Sequence, residues 1–433
     1  MSLRRLFHPS RICCVAVLSF LFVAGAQAQN GKPLTLEAAL KAADAPHPDL
    51  QLAEAEHNLA LADQAFASSQ SDFSVILQGR LQGAQSTIPG SDFTGDNSVR
   101  LAARKNLYDF GRSENSAGAA RSVAESRERT LLQVRDQRRI DIMERYFNVL
   151  LADLRAVADD EFMTVAFLNF DRAREAHEQK LVSTVDLREL ESRFQNLLEQ
   201  RNRSQRQQRY SRELLAEAIN QPGQLAVDLE DPALPGNARA LPSFDALSAL
   251  IEQSPKVQSS NRLLEASRQR LESVRAENSP TLDAEFEAGT YPNRKLEGRD
   301  ALRAGVVLTW PLYQGGRNSA QLAREQAQFH KLQAEHERLR RSISLTLLSL
   351  LSQAEQLQKS ARNAAKIQAD YRDLALERAR GQYEVELKTN LGESSAFIVE
   401  AKLRQREVEF QLALALAKME ALLGQPLPKV ESK

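Results

Sequence analysis

The sequence contains almost no cysteine, few aromatic residues and no excess of charge of either sign. Its two cysteines, Cys13 and Cys14, leave the rest of the chain unable to form a disulfide framework or a thiolate metal site. Basic and acidic residues both total 57, so the net basicity typical of nucleic-acid-binding proteins is missing and no such partner is expected. Aromatic residues make up 6% of 433 residues, which is too few for one large globular core.

The N-terminus has the organisation of a secretory signal peptide. Residues 1–11 carry three arginines and no acid, residues 12–26 are apolar, and Ala-Gln-Ala follows at 26–28. The apolar run is too short to span a bilayer as a mature helix. Both cysteines lie at its start, whereas a lipid-acceptor cysteine would follow it. We therefore expect residues 1–28 to be removed and the mature chain to be exported without cysteine.

The distribution of proline predicts long helices. No proline occurs between Pro89 and Pro222 or between Pro311 and Pro426, and glycine is rare in both stretches. Apolar residues recur there at steps of mostly three and four, separated by Arg, Glu, Gln and Asp. This pattern is typical of coiled-coil packing rather than of a ligand-binding site.

Three short motifs recur about 200 residues apart, which indicates an internal duplication. The pairs are "LYDFGR" (107–112) with "LYQGGR" (312–317), "AINQP" (218–222) with "LLGQP" (422–426), and "HPDL" (47–50) with "SPKV" (254–257). The predicted organisation is a signal peptide (1–28), a first repeat (29–222), a linker (223–242), a second repeat (243–426) and a tail (427–433).

Each repeat predicts the same series of elements. A helix of about 22 residues (49–70; 256–278) precedes two strands, a helix of about 65–70 residues, a turn and a helix of about 34 residues. At 1.5 Å per residue the longest helix extends on the order of 100 Å, several times a hydrocarbon core of ~30 Å. The two shorter helices, stacked end to end, match it in length.

Four runs of about ten residues alternate apolar and polar side chains, at 73–82, 99–104, 282–288 and 302–310. Their length suffices for tilted strands that cross a bilayer, with one face toward lipid. The charged side chains would then line a lumen; they are Arg80, Arg100, Arg104, Asp283, Glu285, Glu287 and Arg303. A half-buried sheet in water is the alternative interpretation.

Four strands cannot close a barrel, and lipid does not tolerate an open sheet edge. Several copies must therefore pool their strands if the sheet spans a membrane. Three copies supply twelve strands, although this arithmetic also allows a dimer or a tetramer.

The segment "WPLYQGGR" (310–317) matches the P-(L/I)-Y-x-G-G segment that follows a strand in the TolC family of outer-membrane efflux and type I secretion channels. From about Leu34 to Pro426 the chain resembles this family. The resemblance implies a fold that is mainly α with a membrane β-barrel: duplicated long-helix hairpins form an α-barrel, and four strands per chain close a twelve-stranded barrel in a homotrimer. It places the barrel in the outer membrane and the helical tunnel in the periplasm. It implies contacts with outer-membrane lipid, a periplasmic adaptor, and an inner-membrane pump or ABC transporter, with no cofactor.

The resemblance also extends to the turns between the long helices. "KLVSTVDL" (180–187) and "YEVELKTNL" (383–391) match the family's two turn motifs. This implies an adaptor-docking tip at Lys180, Leu181, Val182 and Ser183, and a latch of the closed aperture at Asp186, Tyr383 and Lys388. A tyrosine hydroxyl and a lysine ammonium sharing a carboxylate form bonds of about 1–3 kcal/mol each, weak enough to open on docking. The alternative is that these are ordinary polar residues of a helix turn.

Two departures from the family pattern concern the same turns. Lys180 and Glu386 occupy the positions of the family's turn glycines, so the local backbone is open to change. Gly392 and Ser395 stand where some members carry aspartates that narrow the tip, so cation selectivity at such a ring is not expected by default.

We expect a passive conduit without catalysis, because the mature histidines show no metal-ligand spacing and no nucleophile or phosphate-binding motif occurs. A soluble periplasmic adaptor or coiled-coil scaffold remains the alternative. The sequence does not distinguish drugs, metals or a secreted protein as cargo.

Overall fold

A computed structural model of the chain describes residues 33–85, 87, 89–90, 92–95, 97–223, 228–290, 302–384 and 391–428. The predicted signal peptide and the residues Glu386 and Lys388 lie outside this range, as do residues 86, 88, 91 and 96 between the first two predicted strands and residues 291–301 between the last two.

The main elements follow the same order in the two halves, with two exceptions. In the first half they are α1 (Leu36–Lys41), α2 (Pro48–Ser69), β1 (Ser74–Arg80), β2 (Gly83–Ala84), β3 (Thr94–Gly95), β4 (Ser98–Tyr108), α3 (Arg112–Glu178) and α4 (Thr184–Ala218). In the second half they are α5 (Phe244–Ser248), α6 (Pro255–Ala276), β5 (Thr281–Thr290), β6 (Leu302–Thr309), α7 (Arg317–Gln356), α8 (Arg362–Glu384) and α9 (Leu391–Leu423). The described first half has an additional short strand pair, β2 and β3, and two helices of the second half, α7 and α8, correspond to the single α3.

The duplicated motif after each strand pair forms the same left-handed turn. Phe110 and Gly111 have φ values of 56° and 81°, and Gly315 and Gly316 have 61° and 79°. The next residue, an arginine in both halves, begins the long helix. Glycine adopts this conformation without steric cost, so Phe110 is the strained member of the four.

The motif that ends each hairpin is a helix stop signal. Asn220 and Gly424 have φ values of 60° and 69° and follow the last turns of α4 and α9. The Gln221 N–H donates to the Ala216 carbonyl over 2.8 Å, and the Gln425 N–H donates to the Glu420 carbonyl over 3.2 Å. These six-residue bonds satisfy carbonyls that a helix end would otherwise leave unpaired.

In each half, the short helix starts where the hairpin helix ends. The Asn220 side-chain amide donates to the Pro46 carbonyl over 2.7 Å, which joins the end of α4 to the start of α2. In the second half, Gly424 at the end of α9 packs directly against Pro255 at the start of α6. The 22-residue helix and the returning hairpin helix, α2 with α4 and α6 with α9, are therefore stacked end to end in each half. This end-to-end arrangement beside the longest helix is the predicted one.

The four hairpin helices pack in the order α4, α3, α9 and α8. One buried hydrophobic cluster lies among α6, α7 and α9, and another lies where α3 meets α4 and α9. In the latter, the Phe147 and Phe410 rings stack with centroids 4.3 Å apart and planes 2° apart. Both rings are 1% exposed. This stack joins the two repeats.

Tyr146 fastens the start of the described chain to the linker. Its hydroxyl oxygen lies 2.7 Å from the Leu34 carbonyl oxygen and 2.6 Å from the Glu230 carbonyl oxygen. Leu34 and the linker also exchange backbone hydrogen bonds, with Leu34 N–H donating to Asp228 over 2.8 Å. Burial of the phenol, together with the nearby Glu230 carboxylate, raises the pKa of Tyr146 to about 12.

The second long helix is interrupted, whereas α3 runs without a break for 67 residues. A π-helical turn, Leu357–Ala361, separates α7 from α8. Beside it, the Asn237 side chain donates to the Glu409 carboxylate over 2.7 Å, and Arg362 Nε donates to the same carboxylate over 2.7 Å. Burial would raise the pKa of Glu409, but these hydrogen bonds outweigh it and lower the pKa below its usual value. The linker thus binds through Asn237 at the point where α-helical hydrogen bonding gives way to the π-helical turn between α7 and α8.

None of the helices within the described residues combines the length and apolar character that a bilayer-spanning helix requires.

Candidate functional site: the two-faced sheet and the helical tip

The four main strands form one antiparallel sheet in the order β1, β4, β5, β6. Within this sheet, β4 of the first half pairs directly with β5 of the second half, so the two strand hairpins lie side by side. Directly opposed residues of antiparallel strands point to the same side of the sheet. Arg104 is opposite Glu285, and Glu285 is opposite Gly305, which fixes the side on which each strand carries its polar residues.

This register places all seven predicted lumen residues on one face, which we call the charged face. It carries Arg80, Arg100, Arg104, Asp283, Glu285, Glu287 and Arg303. The opposite face, the apolar face, carries Val75, Leu77, Val99, Leu101, Ala103, Leu282, Ala284, Phe286, Ala288, Leu302, Ala304, Val306 and Leu308. Its one charged residue within the paired positions is Lys105, opposite Ala284 near the helix end of β4. Sequence alternation within each strand predicts two faces, but only the cross-strand register shows that the four polar sides coincide.

No other element among the described residues covers the apolar face. Leu77 is 71% exposed, and Leu308 on the opposite edge strand is 65% exposed. A half-buried sheet in water would cover these side chains with other elements of the same chain. The interpretation as an ordinary soluble sheet therefore does not fit this chain.

Charged side chains pair across the junction of the two repeats. Arg104 Nη2 lies 2.6 Å from Asp283 Oδ2, and the Asn106 amide donates to the other carboxylate oxygen over 3.0 Å. Arg104 Nε also lies 3.7 Å from Glu285 Oε1. Asp283 is buried under these partners, so the pair is compensated.

A second set of contacts lies farther along the same two strands. Arg100 Nε donates to Gln78 on β1 over 2.7 Å, and Arg100 Nη1 lies 3.7 Å from Glu287 on β5. Arg80 and Arg303 occupy the two edge strands of the sheet. Charges of both signs are therefore distributed over the face.

Aromatic side chains collect at the end of the apolar face nearest the helices. A register irregularity between Asn106 and Tyr108 places Tyr108 opposite Leu282, and thus on the apolar face. Phe73 and Trp310 flank β1 and β6 at the same end, and all three aromatic residues are more than half exposed. Our sequence interpretation missed this rim. The sequence signal that could have revealed it is the break in the apolar–polar alternation of β4 at Asn106-Leu107-Tyr108.

Sequence reasoning also missed Asp109, which lies between β4 and the left-handed turn. Its carboxylate accepts a hydrogen bond from the Ser113 N–H over 2.9 Å in the first turn of α3. A carboxylate in this position satisfies an unpaired donor and interacts favourably with the helix dipole. The equivalent residue of the second half is Gln314.

At the other end of the helices, the turn from α3 to α4 keeps the backbone that glycine favours. Lys180 has a φ of 63°. The Leu181 N–H donates to the Ala176 carbonyl and the Lys180 N–H to the His177 carbonyl, each over 2.8 Å. These two hydrogen bonds close the helix end, and their pattern requires one left-handed residue. Replacement of the family's glycine by Lys180 thus leaves the turn intact.

The predicted docking residues are contiguous at this tip. Leu181 is 74% exposed, and Val185 in the first turn of α4 is 76% exposed. Ser183 caps α4, accepting from the Asp186 N–H over 3.1 Å and donating to the Asp186 carboxylate over 2.8 Å. Two exposed aliphatic side chains therefore flank a polar cap.

The structure describes two of the three predicted latch residues, Asp186 and Tyr383, and no hydrogen bond joins these two. Asp186 bonds with Ser183, Tyr383 is 65% exposed near the end of α8, and Lys388 lies outside the described residues. The latch accordingly stays a prediction.

The absence of an aspartate at position 392 has a steric reason. A Cβ atom on Gly392 would lie 2.8 Å from Val165 Cγ2, so a larger residue there requires the Val165 side chain or α9 to shift. The next residue, Glu393, pairs with Arg193 of α4 over 2.9 Å. In this chain the position is used for close helix packing.

No cluster of three or more His, Cys, Asp or Glu residues suited to a metal ion occurs in the described part of the chain.

Comparison with known proteins identifies the fold. Residues 246–425 match the model of a family described as outer membrane efflux protein. The outer membrane protein VceC of Vibrio cholerae has a TM-score of 0.73 at 17% identity, with 91% of this chain and 97% of VceC covered. The outer membrane channel CmeC of Campylobacter jejuni has a TM-score of 0.75 at 14% identity, covering 92% and 87%. The open-state MtrE channel of Neisseria gonorrhoeae has a TM-score of 0.69 at 18% identity, covering 92% and 91%.

A comparison with curated protein sequences gives no significant match. The family match and the shared fold confirm the resemblance to TolC-like channels and the predicted fold class, mostly helical with four main strands.

Proposed function

We propose that this chain, whose residues 246–425 match the outer membrane efflux protein family, is the trimeric outer-membrane exit duct of a tripartite export system. One observation carries the proposal: four strands at one end of rods of on the order of 100 Å place seven charged side chains on one face and leave the largely apolar opposite face uncovered by the described residues. The duct carries small molecules or a secreted protein from a periplasm-spanning complex to the exterior.

The sheet has two open edges that suit closure between copies. Strand direction alternates from β1 to β6, so β6 of one copy runs antiparallel to β1 of the next and the pattern continues without change. Lipid requires that such edges be paired. Three copies give a twelve-stranded barrel, with the apolar face toward lipid and the charged face around the lumen.

The helices extend this lumen through the periplasm, and their turns form the far end. Exposed Leu181 and Val185 at that end offer an apolar contact for helical hairpins of a periplasmic adaptor. Asp186, Tyr383 and Lys388 serve as the latch of the closed aperture. An inner-membrane pump or ABC transporter supplies the energy, and this chain performs no catalytic step.

Planar bilayer recording tests the lumen assignment. We expect purified wild-type protein to form channels, and Glu285→Lys to shift the reversal potential in a salt gradient toward anions, because a charge of the lumen wall changes sign. The control is Glu37→Lys on α1, which should leave selectivity unchanged. Channels whose selectivity ignores Glu285→Lys would refute the lumen assignment, and a wild-type protein that never conducts would refute the function.

The single tryptophan of the chain reports membrane depth without labelling. Aromatic residues of membrane strands concentrate at the lipid–water interface. We expect Trp310 fluorescence to be quenched more by lipids brominated near the headgroup than by lipids brominated near the chain end. Equal insensitivity to all brominated lipids would contradict insertion of the sheet.

A further inference from the structure

Lys105 is the one charged residue among the paired positions of the apolar face, and it lies near the end of β4 that leads into the helices. Its side chain is exposed, and it lies opposite Ala284 of β5. On the neighbouring strand β1, Ser74 is opposite Arg104, so Phe73, one residue before Ser74, adjoins Lys105. A single cation is therefore placed between apolar neighbours on the face that meets lipid.

The arginines of the charged face have partners of opposite charge, whereas Lys105 does not. Arg104 lies 2.6 Å from Asp283, and Arg100 lies 3.7 Å from Glu287. Among the described residues, no carboxylate forms an ion pair with Lys105. A lysine on a lipid-facing surface is costly unless its long stem carries the ammonium group to the interface. The anions available to it there are the phosphates of lipid headgroups.

The position of Lys105 along β4 fits the lipid–water boundary. Three residues separate it from Tyr108 of the aromatic rim, which corresponds to about 10 Å of extended chain. In the repeated motifs "LYDFGR" (107–112) and "LYQGGR" (312–317), the residue two positions before the leucine is Lys105 in one half and Trp310 in the other. Lysine and tryptophan both anchor membrane segments at this boundary. Because the helices lie in the periplasm, the boundary belongs to the inner leaflet of the outer membrane.

Phe110, at the same end of β4, is an exposed aromatic residue in a strained conformation. Its φ is 56°, and the equivalent residue of the second half, with a φ of 61°, is Gly315. This conformation has a steric cost for phenylalanine that glycine avoids. The Phe110 ring lies 4.8 Å from the Tyr108 ring and is 51% exposed, so burial within the chain offsets little of that cost. Strain that packing does not offset indicates a contact beyond the chain.

We propose that Lys105, Tyr108 and Phe110 form a binding site for an anionic phospholipid of the inner leaflet, with phosphatidylglycerol as its headgroup class. The Lys105 ammonium contacts the phosphate, and the two rings pack against the glycerol and the upper acyl chains. Phosphatidylethanolamine binds less well, because its own ammonium group competes with lysine for the phosphate. Trp310 and Gly315 replace Lys105 and Phe110 in the second repeat, so each chain has one such site. The inference rests on the proposed function, in which the apolar face meets lipid, and adds a lipid preference to it.

Native mass spectrometry of the detergent-purified protein measures which lipid it retains. After incubation with equimolar dioleoyl-phosphatidylglycerol and dioleoyl-phosphatidylethanolamine, the wild type should retain phosphatidylglycerol in excess. Lys105→Met keeps a long unbranched side chain without the charge and should lower this excess by roughly fivefold, whereas Lys105→Arg should keep it. The matched control Lys366→Met removes an exposed lysine of α8 and should behave as the wild type does.

Equal retention of the two lipids by the wild type, or an unchanged excess in Lys105→Met, would overturn the site. If Lys105→Met does not fold, Lys105→Gln provides the same comparison. Planar bilayer recording separates this inference from the function on which it rests. Wild-type channels that conduct without a lipid preference refute the site and leave the proposed function standing, and a protein that neither inserts nor conducts refutes both.

Phe110→Gly distinguishes lipid binding from a role in the fold. The substitution removes both the strain and the exposed ring, so the thermal unfolding midpoint in lipid-free detergent should stay unchanged or rise. The excess of retained phosphatidylglycerol should fall by roughly threefold, because an aromatic contact is lost. Unchanged retention, or a lower midpoint, would remove the ring pair from the site.

Discussion

The two repeats of this chain share one backbone plan but reach it with different residues. The turn before each long helix uses two left-handed residues, Phe110 and Gly111 in one half and Gly315 and Gly316 in the other. The ends of α4 and α9 each use one, Asn220 and Gly424. The conformation has thus been kept at each position while the side chain has diverged with its surroundings.

The surroundings explain the choice at the helix ends. Asn220 has room for a side chain, which donates to Pro46. Gly424 has none, because an added Cβ would lie 2.6 Å from both Cγ and Cδ of Pro255. Equivalent positions of a duplication can therefore tolerate substitution very differently.

A larger difference concerns the long helices. The first half has an unbroken α3, whereas the second half has a π-helical turn held by the linker through Asn237, Arg362 and Glu409. The linker binds both halves, because its earlier residues meet Tyr146. The repeats are thus fastened together at the level of the core rather than packed independently.

The largest expected effect comes from removing the ring stack between the repeats. Phe147→Ala should lower the free energy of unfolding by about 3–5 kcal/mol, because it empties a fully buried site and leaves Phe410 without its partner. Urea unfolding of the detergent-solubilised protein measures it. Phe167→Ala, which removes a 42% exposed ring, is the control and should cost clearly less. Equal costs would mean that the repeats are stabilised independently.

The helix ends provide the next comparison. Gly424→Ala should destabilise by about 2–4 kcal/mol, because it combines a left-handed alanine with a clash against Pro255. Asn220→Ala should cost about 1–2 kcal/mol, since it keeps the left-handed strain and loses one hydrogen bond without a clash. Thermal unfolding midpoints of both variants measure the gap. A larger loss of stability in Asn220→Ala than in Gly424→Ala would contradict the explanation that contact with Pro255 makes Gly424 the more sensitive position.

Tyr146→Phe tests the attachment of the linker to the first half. At neutral pH it should cost about 1–2 kcal/mol, because the hydroxyl that bonds to the Leu34 and Glu230 carbonyls is removed. The raised pKa means that the neutral phenol stabilises the fold below pH about 10, and this contribution is lost as the pH rises from about 10 to about 12. The stability difference between wild type and variant should shrink over that range. A difference independent of pH would contradict burial of the hydroxyl.

The smallest effect is expected at the tip. Lys180→Gly should stabilise the α3–α4 turn by about 0.5–1 kcal/mol, because glycine adopts a φ of 63° without steric cost. The gain is this small because glycine also loses more conformational entropy than lysine when the chain folds. Hydrogen exchange of the tip amides measures the change. The control Gln179→Gly, at a position with a φ of −85°, should accelerate exchange. Faster exchange in Lys180→Gly would show that the lysine side chain itself holds the turn.

The long helices, their ends and the two faces of each strand were predictable from consecutive residues. Proline-free stretches leave helices unbroken, and helix period, strand alternation and recurring turn motifs are local properties of the chain. For the same reason, the family resemblance and the tip at Lys180–Ser183 followed from short motifs.

Other features depended on contacts between residues far apart in the chain. The pairing of β4 with β5 brings Arg104 to Asp283 across 179 positions, and the strand bulge turns Tyr108 toward the apolar face. The close packing of Gly392 on Val165 and the clasp of Asn237 on Glu409 are likewise tertiary. Periodicity specifies which way a side chain points within its own element, but the element packed opposite, and its register, are set by the free energy of the whole assembled core.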